Sequence, residues 1–371
     1  MSTIQTNAIV DASGGNTTTV NGVTPNTNTV RGRNLLINGA MQVWQRGASF
    51  TGVNSLAYHT DRFQSYNSSN ASGESTISKS TDASDGFGNS YKLEVTTADS
   101  SLHVGAEYGL YYYFEGQDLQ GLKKGTSDAK SLTASFWVKS SVTGTFIVEI
   151  MDNDNSNRHI NKSYTINAAN TWEYKTITFE GDTVGALDND NNNSFHINLW
   201  LGGGTNFTSG TLQTSWGTLN QANRAGGQTN VHATVGNTWQ ITGVKLEVGS
   251  VATEFDHRSY AEELALCQKY YYQIKQYENA GQYTFMIGAV GGTNTHFVVT
   301  NPQVMRAAPT VAYSGTVNLI ANATSITSPA SFAAYSGTKY TRLQWARGTH
   351  TAGQAAWADI DDGVFTFSSE L

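Results

Sequence analysis

Along residues 132–139 apolar and polar side chains alternate. Leu132, Ala134, Phe136 and Val138 face one way, and Thr133, Ser135, Trp137 and Lys139 the other. Phe146, Val148 and Ile150 keep the same period. Phe195, Ile197, Leu199 and Leu201 repeat it, with His196, Asn198 and Trp200 opposite. A period of two predicts strands with one buried face. Clusters of Asn, Asp and Gly at 152–157, 188–193 and 202–206 separate these strands as turns. In 239–248 the apolar set changes parity, from Trp239 and Ile241 to Val244, Leu246 and Val248, which predicts a bulge at Gly243. Many strands between Asn34 and Val248 without intervening helices predict a two-sheet sandwich, a jelly roll.

One helix breaks the pattern. Ser259 stands before YAEELALCQKYY with Glu262 three residues later, the spacing of a capping box. Leu264, Cys267 and Tyr271 fall at helical spacing, so Leu264 is expected in the core and Cys267 as a small buried apolar residue. Beyond it the strands resume at Tyr283–Val290, His296–Thr300, Val311–Tyr313, Val317–Ile320, Thr341–Trp345 and Val364–Ser368, with Asp362-Gly363 as a hairpin signal. Residues 1–32 are polar, with apolar residues too isolated to build a core. They read either as a disordered tail or as a segment ordered against neighbouring chains. The expected fold is therefore all-β in four parts. These are an attachment segment at 1–32, a jelly-roll sandwich at 33–258, a linking helix at 259–272 and a smaller C-terminal β-sandwich at 273–371.

Composition narrows the function classes. Only 14% of the 371 residues are charged, with 37 Gly, 4 Pro, 8 Trp and 18 Tyr. This excludes a coiled coil and a wholly disordered chain. The net charge of −7 argues against binding nucleic acid by bulk electrostatics. No apolar run approaches the ~20 residues of a membrane span, and the start MSTIQTNAIVDASGG has no secretory-signal pattern. A single cysteine, Cys267, excludes an internal disulfide framework.

Several longer segments occur in a fixed order: NLLINGAMQVWQRG (34–47), YHTDRF (58–63), FEGQDL (114–119), SFWVKSSVTGTF (135–146), YTINAANTWEYKTITFEGDT (164–183) and ITGVKLEVGSVATEFDHRSYAEELALCQKYY (241–271). Together they resemble a domain of tail fibres and other virion surface proteins of tailed bacteriophages and prophages. The opening also resembles the first strand of carbohydrate-binding jelly-roll modules. The resemblance covers residues 34–272. It departs at Phe63, where Trp is more usual, and it is looser beyond Tyr272, in the MRAAPTV segment (305–311) and the TFSSEL ending. It implies a non-enzymatic virion component without a cofactor, made in the host cytoplasm and displayed on the particle. A homotrimer is implied too, held to other virion proteins through residues 1–32 and adhering to a host surface glycan or other receptor. Alternatives are a capsid decoration or head fibre protein, a depolymerase of envelope polysaccharide, and a stand-alone carbohydrate-binding module.

Three kinds of site follow from residue type. Trp137, and the trio His196, Asn198 and Trp200, occupy polar faces of strands, where a ring can stack on a sugar and Asn and His can direct hydrogen bonds. The same rings could instead lie under a loop or in a subunit interface. Trp345 and Trp357 are the corresponding candidates in the C-terminal region. Asp152 with Asp154, and Asp188 with Asp190, place oxygen ligands at alternate positions as calcium loops do, but without the central Gly and distal Glu of an EF-hand. Catalysis has no HExxH, GxSxG or Walker pattern to rest on. A carboxyl pair such as Glu180 and Asp182 is defined by its separation in space.

Overall fold

Antiparallel strands make up almost all of the regular structure in the computed structural model, which describes residues 34–275, 285–322, 324–327, 331–346 and 348–371. The expected attachment segment 1–32 lies outside the described residues. Twelve strands build the first region: β1 (Ser49–Val53), β2 (Ala57–Tyr58), β3 (Phe63–Asn67), β4 (Glu74–Ser80), β5 (Ser90–Thr97), β6 (Glu107–Glu115), β7 (Leu132–Ser140), β8 (Gly144–Asp152), β9 (Arg158–Ile166), β10 (Glu173–Phe179), β11 (Asn193–Gly203) and β12 (Thr238–Val248). They form two six-stranded sheets, ordered β1-β4-β5-β12-β7-β10 and β2-β3-β6-β11-β8-β9. From β6 onward the chain passes back and forth between the sheets in jelly-roll fashion, except for the β8–β9 hairpin within one sheet.

The alternation seen in the sequence is the inward face of this sandwich. Phe136, Val138, Phe146, Val148, Ile150, Phe195, Ile197, Leu199, Ile241 and Leu246 share one core. The parity change in β12 is a bulge: register with β7 skips between Thr242 and Lys245, and Gly243 has φ +62°. That positive φ is strained for a residue with a Cβ. Residues 34–43, which resemble a first strand in the carbohydrate-binding modules, form no strand here. They lie along β12, the Leu35 amide donating to the Leu246 carbonyl and the Val244 amide to the Gly39 carbonyl, with Leu36, Met41 and Val43 buried. The Asn38 side chain takes the place of a strand ladder, accepting from the Gln42 and Val43 amides at 2.9 Å each and donating to the Val43 and Asp61 carbonyls.

The helix spans Tyr260–Gln268 and has its capping box, with Ser259 Oγ accepting from the Glu262 amide and the Glu262 carboxylate accepting from the Ser259 amide. Its buried side differs from the expected one. Glu263 and Cys267 are buried, whereas Leu264 is only half-buried. Glu263 goes inward because its carboxylate accepts from the Asn38 amide and pairs with Arg258 at 3.2 Å.

Eight further strands follow: β13 (Tyr271–Lys275), β14 (Phe285–Val290), β15 (Asn294–Thr300), β16 (Thr310–Ala321), β17 (Thr324–Thr327), β18 (Ala333–Ser336), β19 (Tyr340–Ala346) and β20 (Ala355–Ser368). They make one sheet ordered β17-β16-β20-β14-β15-β19-β18, with β13 also on β20. Trp345 on β19 meets Phe365 on β20 edge-on at 5.8 Å, although β14 and β15 stand between those strands. The sheet must therefore fold over on itself, and its two halves enclose the core. Asp362-Gly363 makes no hairpin. Strand β20 runs through it, and the register with β16 slips between Ser314 and Thr316, beside Gly315 at φ +80°. Long pairing on both sides of β20 outweighs the local turn preference, which is spent on a bulge.

The chain end ties the two regions together. Glu370 pairs with Arg46 and Arg62 of the sandwich, and the Arg62 guanidinium lies 3.5 Å over the Tyr270 ring.

Candidate functional site

Trp137 on β7 is directly opposite Tyr174 on β10, and both side chains leave the core on the open face of their sheet. Their rings are 5.2 Å apart at 45°. They form one wall of a groove of about 550 Å3. The opposite wall is a cluster of three rings. Phe87 meets Phe255 at 5.0 Å and His257 at 5.1 Å, and Phe255 meets His257 at 4.9 Å. Ser135, Thr176, Gly243, Asp85 and Glu254 line the groove as well.

The β12 bulge positions the second wall. Phe87 lies against Gly243, where an added Cβ would come within 2.6 Å of its ring. Two polar residues of β12 then fix the returning chain. The Lys245 ammonium donates to Thr253 Oγ1 and to the Glu254 carbonyl, and Glu247 accepts from the Thr253 amide at 2.7 Å. Lys245 and Glu247 are both buried and lie 3.3 Å from each other. A buried pair with its remaining hydrogen bonds satisfied holds a rigid geometry. It sets where residues 254–257 cross the face, and so where Phe255 and His257 stand.

Such a groove can take a flat ligand with apolar faces and polar edges. Aromatic rings contact the C–H faces, and hydroxyl, imidazole and carboxylate groups reach the edges. Trp137 is the sequence candidate that the structure places here. Tyr174, Phe87, Phe255 and His257 escaped the sequence reading. Tyr174 could have been found from its alternation with Thr176 and Thr178. The other three stand outside regular strands and carried no periodic signal.

The trio His196, Asn198 and Trp200 does not form an open platform. Its parity is as expected, on the face of β11 away from the inter-sheet core. Residues 204–228 fold back over that face. Trp200 is fully buried against Ile147, Ala225, Phe207 and Leu212. Its Nε1 donates to Glu149 at 3.1 Å, and Arg224 lies 4.9 Å over its ring. Glu149 is held to the Arg224 guanidinium at 2.7 and 2.8 Å. Burial alone would raise the Glu149 pKa, but the Arg224 charge and hydrogen bonds from His159 and Arg224 hold it down at about 2. Burial lowers His196 to about 4, against the opposing pull of Glu149. Asn198 is enclosed over Gly109, whose lack of a side chain makes room for it. These residues are a sealed polar layer.

The acidic loops come together, but around an ammonium group. Lys124 Nζ donates to the Val184 and Gly185 carbonyls at 2.8 Å each, and pairs with Asp152 and, at 3.0 Å, with Asp182. Asp152 also accepts from the Asp154 and Asn155 amides, Asp154 accepts from the Asp188 amide, and Asp190 accepts from the Asn192 amide. Of the calcium candidates, Asp152 thus serves the lysine cage and, with Asp154 and Asp190, accepts turn amides, and no cluster of metal-ligating side chains occurs among the described residues. Asp182 is bound by Arg158 as well, at 2.9 and 3.0 Å. Burial opposes its charge, yet Arg158 and Lys124 hold its carboxyl below the usual range.

In the C-terminal region Trp345 is fully buried, ringed by Phe297, Tyr313, Phe332 and Phe365. It is a core residue because inward alternation on β19 puts it beside Leu343. Trp357 is 37% exposed, on the outer face opposite Ile287 and Ile320.

No protein-family model matches the sequence, and no relative is found among the curated proteins. Among solved structures the chain is similar to the enzymatically active domain of bacteriophage CBA120 tailspike protein 4. That likeness has 14% identity and a TM-score of 0.31, over 58% of this chain and 21% of that one. The chain spans about a fifth of the tailspike's length. It is also similar to the family 11 carbohydrate-binding module of Clostridium thermocellum, with 14% identity and a TM-score of 0.28, over 56% of this chain and 98% of the module. A structure described as "CBM4 structure and function" gives 13% identity and a TM-score of 0.26, over 57% and 97%. Likenesses of this size say nothing of what this chain binds, and the jelly-roll assignment rests on its own strand order.

Proposed function

We propose that the chain is a glycan-binding adhesion protein of a bacteriophage particle, a tail fibre or related surface component. The observation that carries the glycan reading is the pair Trp137 and Tyr174, displayed on an open sheet face across from a second aromatic wall. The virion assignment rests on the sequence resemblance over residues 34–272. A homotrimer anchored through residues 1–32 completes the proposal. Stacking one sugar on a ring is worth on the order of 1 kcal/mol. Useful adhesion from one shallow groove therefore needs several copies, which act through effective concentration. Binding without catalysis is favoured because the Asp182 carboxyl is committed to Lys124 and Arg158.

The test is Trp137→Ala in the full chain. Adsorption of particles to host cells should fall at least about tenfold, multivalency amplifying the small single-site loss. The melting temperature should stay nearly unchanged, since the ring stands outside the core. Unaltered adsorption would remove the groove from the receptor contact. Light scattering that gives a monomer at micromolar concentration would remove the trimer.

A further inference from the structure

We infer that the groove between Trp137 and Phe87 selects uncharged sugar units and rejects acidic ones, with Asp85 and Glu254 as the residues that set this preference. The inference rests on the glycan reading of the groove and goes on to the class of glycan. Of its thirteen lining residues, two are carboxylates, Asp85 and Glu254, and none is Lys or Arg. Both carboxylates are exposed. Lys245, whose ammonium reaches Thr253 and Glu254 of the lining, is buried behind them. Its ammonium is taken up by Thr253, the Glu254 carbonyl and Glu247. It therefore leaves no donor to meet a carboxylate or phosphate on a ligand.

A glycan that bears uronate, sialate or phosphate groups would bring like charge to these carboxylates with no lysine or arginine in the lining to neutralise it. Close like charges disfavour binding, and this counts more where walls exclude water. Carboxylates remain good acceptors for neutral hydroxyls, so the same two residues help to orient an uncharged sugar. The contrast with the adjoining groove makes the point. That groove holds about 600 Å3 beside the helix, shares His257, and is lined by Arg258 and Lys269 as well as Asp256 and Glu262. Cationic residues are thus available on this side of the molecule. They are kept out of the groove that carries Trp137.

The experiment is titration calorimetry on the full chain with six-unit oligosaccharides. Neutral hexose and N-acetylhexosamine oligomers are compared with oligogalacturonate and oligosialate. Trp137→Ala is run alongside to assign binding to the groove. Neutral oligomers should bind at least about tenfold more tightly than acidic ones. The double variant Asp85→Asn, Glu254→Gln should raise the ratio of acidic to neutral affinity about tenfold. Acidic oligomers that bind wild type as tightly as neutral ones, through Trp137, would overturn the charge preference and leave the glycan reading standing. A ratio unmoved in the double variant would overturn the assignment to these two residues. If no oligomer of either kind binds, the glycan reading of the groove falls and the preference with it.

Discussion

The sandwich and the folded-over C-terminal sheet solve the problem of their outer faces in opposite ways. On β11 of the sandwich, residues 204–228 cover the outer face, and the layer beneath is ionic: Glu149, Arg224, His159 and Glu107. The C-terminal sheet encloses an aromatic and aliphatic core, and among the described residues its buried polar groups, such as Thr295, Thr341 and Asp359, form no ion-paired layer. Among the described residues nothing covers its outer face, and one row across that face is mostly apolar. Ile320, Trp357, Ile287, Val298, Arg342 and Tyr335 are successive neighbours across six strands, with Ile287 80% and Val298 60% exposed. Apolar patches of this kind mark contact surfaces. An outer strand face can thus be sealed by the chain's own loop or left for another surface, and strand alternation is the same in both cases.

Removing Glu149 should have the largest effect on this contrast. Glu149→Ala leaves Arg224 buried without its main partner and should cost about 3–5 kcal/mol in chemical denaturation. The double variant Glu149→Leu, Arg224→Met should recover most of that loss, because an apolar pair of similar volume replaces a buried ion pair at little cost. A single variant within about 1 kcal/mol of wild type would mean that the ionic layer does not support the sandwich.

Acid should act on the sandwich next. Burial lowers His59, His196 and His232 to about 4. Between about pH 6.5 and 4 the unfolded chain binds protons that these folded histidines refuse, so stability falls as pH drops through that window. Asp61 works the other way. Burial raises it to about 6, and protonation on descending through that value relieves the folded state. The three histidines together lose up to about 4 kcal/mol per pH unit, and Asp61, with Glu107, Asp118 and Asp359 raised by burial in the same direction, offsets part of it. Glu149 adds to the loss at the low end of this window and below it, because the unfolded carboxyl takes up a proton near 4.5 while the folded one stays charged to about pH 2. Denaturation midpoints at pH 7 and pH 4.5 would check this, and a midpoint that rises on acidification would refute it.

Ser259→Ala tests the junction between the regions and should cost about 1 kcal/mol through loss of the helix cap. Ile287→Ser should be the mildest. Its side chain is mostly exposed, so thermal stability of the separated chain should change by no more than about 0.5 kcal/mol. A larger loss that depends on protein concentration would show that the open row is already covered by a second copy.

The sandwich core was legible in the sequence where β7, β8, β11 and β12 repeat a period of two. The bulge at Gly243 and the capping box were legible for a similar reason, since both are written in adjacent residues. The folded-over sheet was less so. Asp362-Gly363 has hairpin chemistry, yet pairing on both flanks of β20 carries the strand through it.

Sequence alone settled which side of each strand a residue takes, and it put Trp137 and Trp200 alike on outer faces. What lies over those faces was decided only by the tertiary structure. Trp200 is covered by a loop whose sequence has no periodicity, and Trp137 is left open opposite Phe87, Phe255 and His257. Parity is a local property, fixed by the alternation of Cβ directions along one strand. Covering depends on where segments remote in the chain come to rest. The anchors that place them here, Lys245 and Glu247 beneath one face and Arg224 with Glu149 beneath the other, act through contacts that only the folded chain brings together.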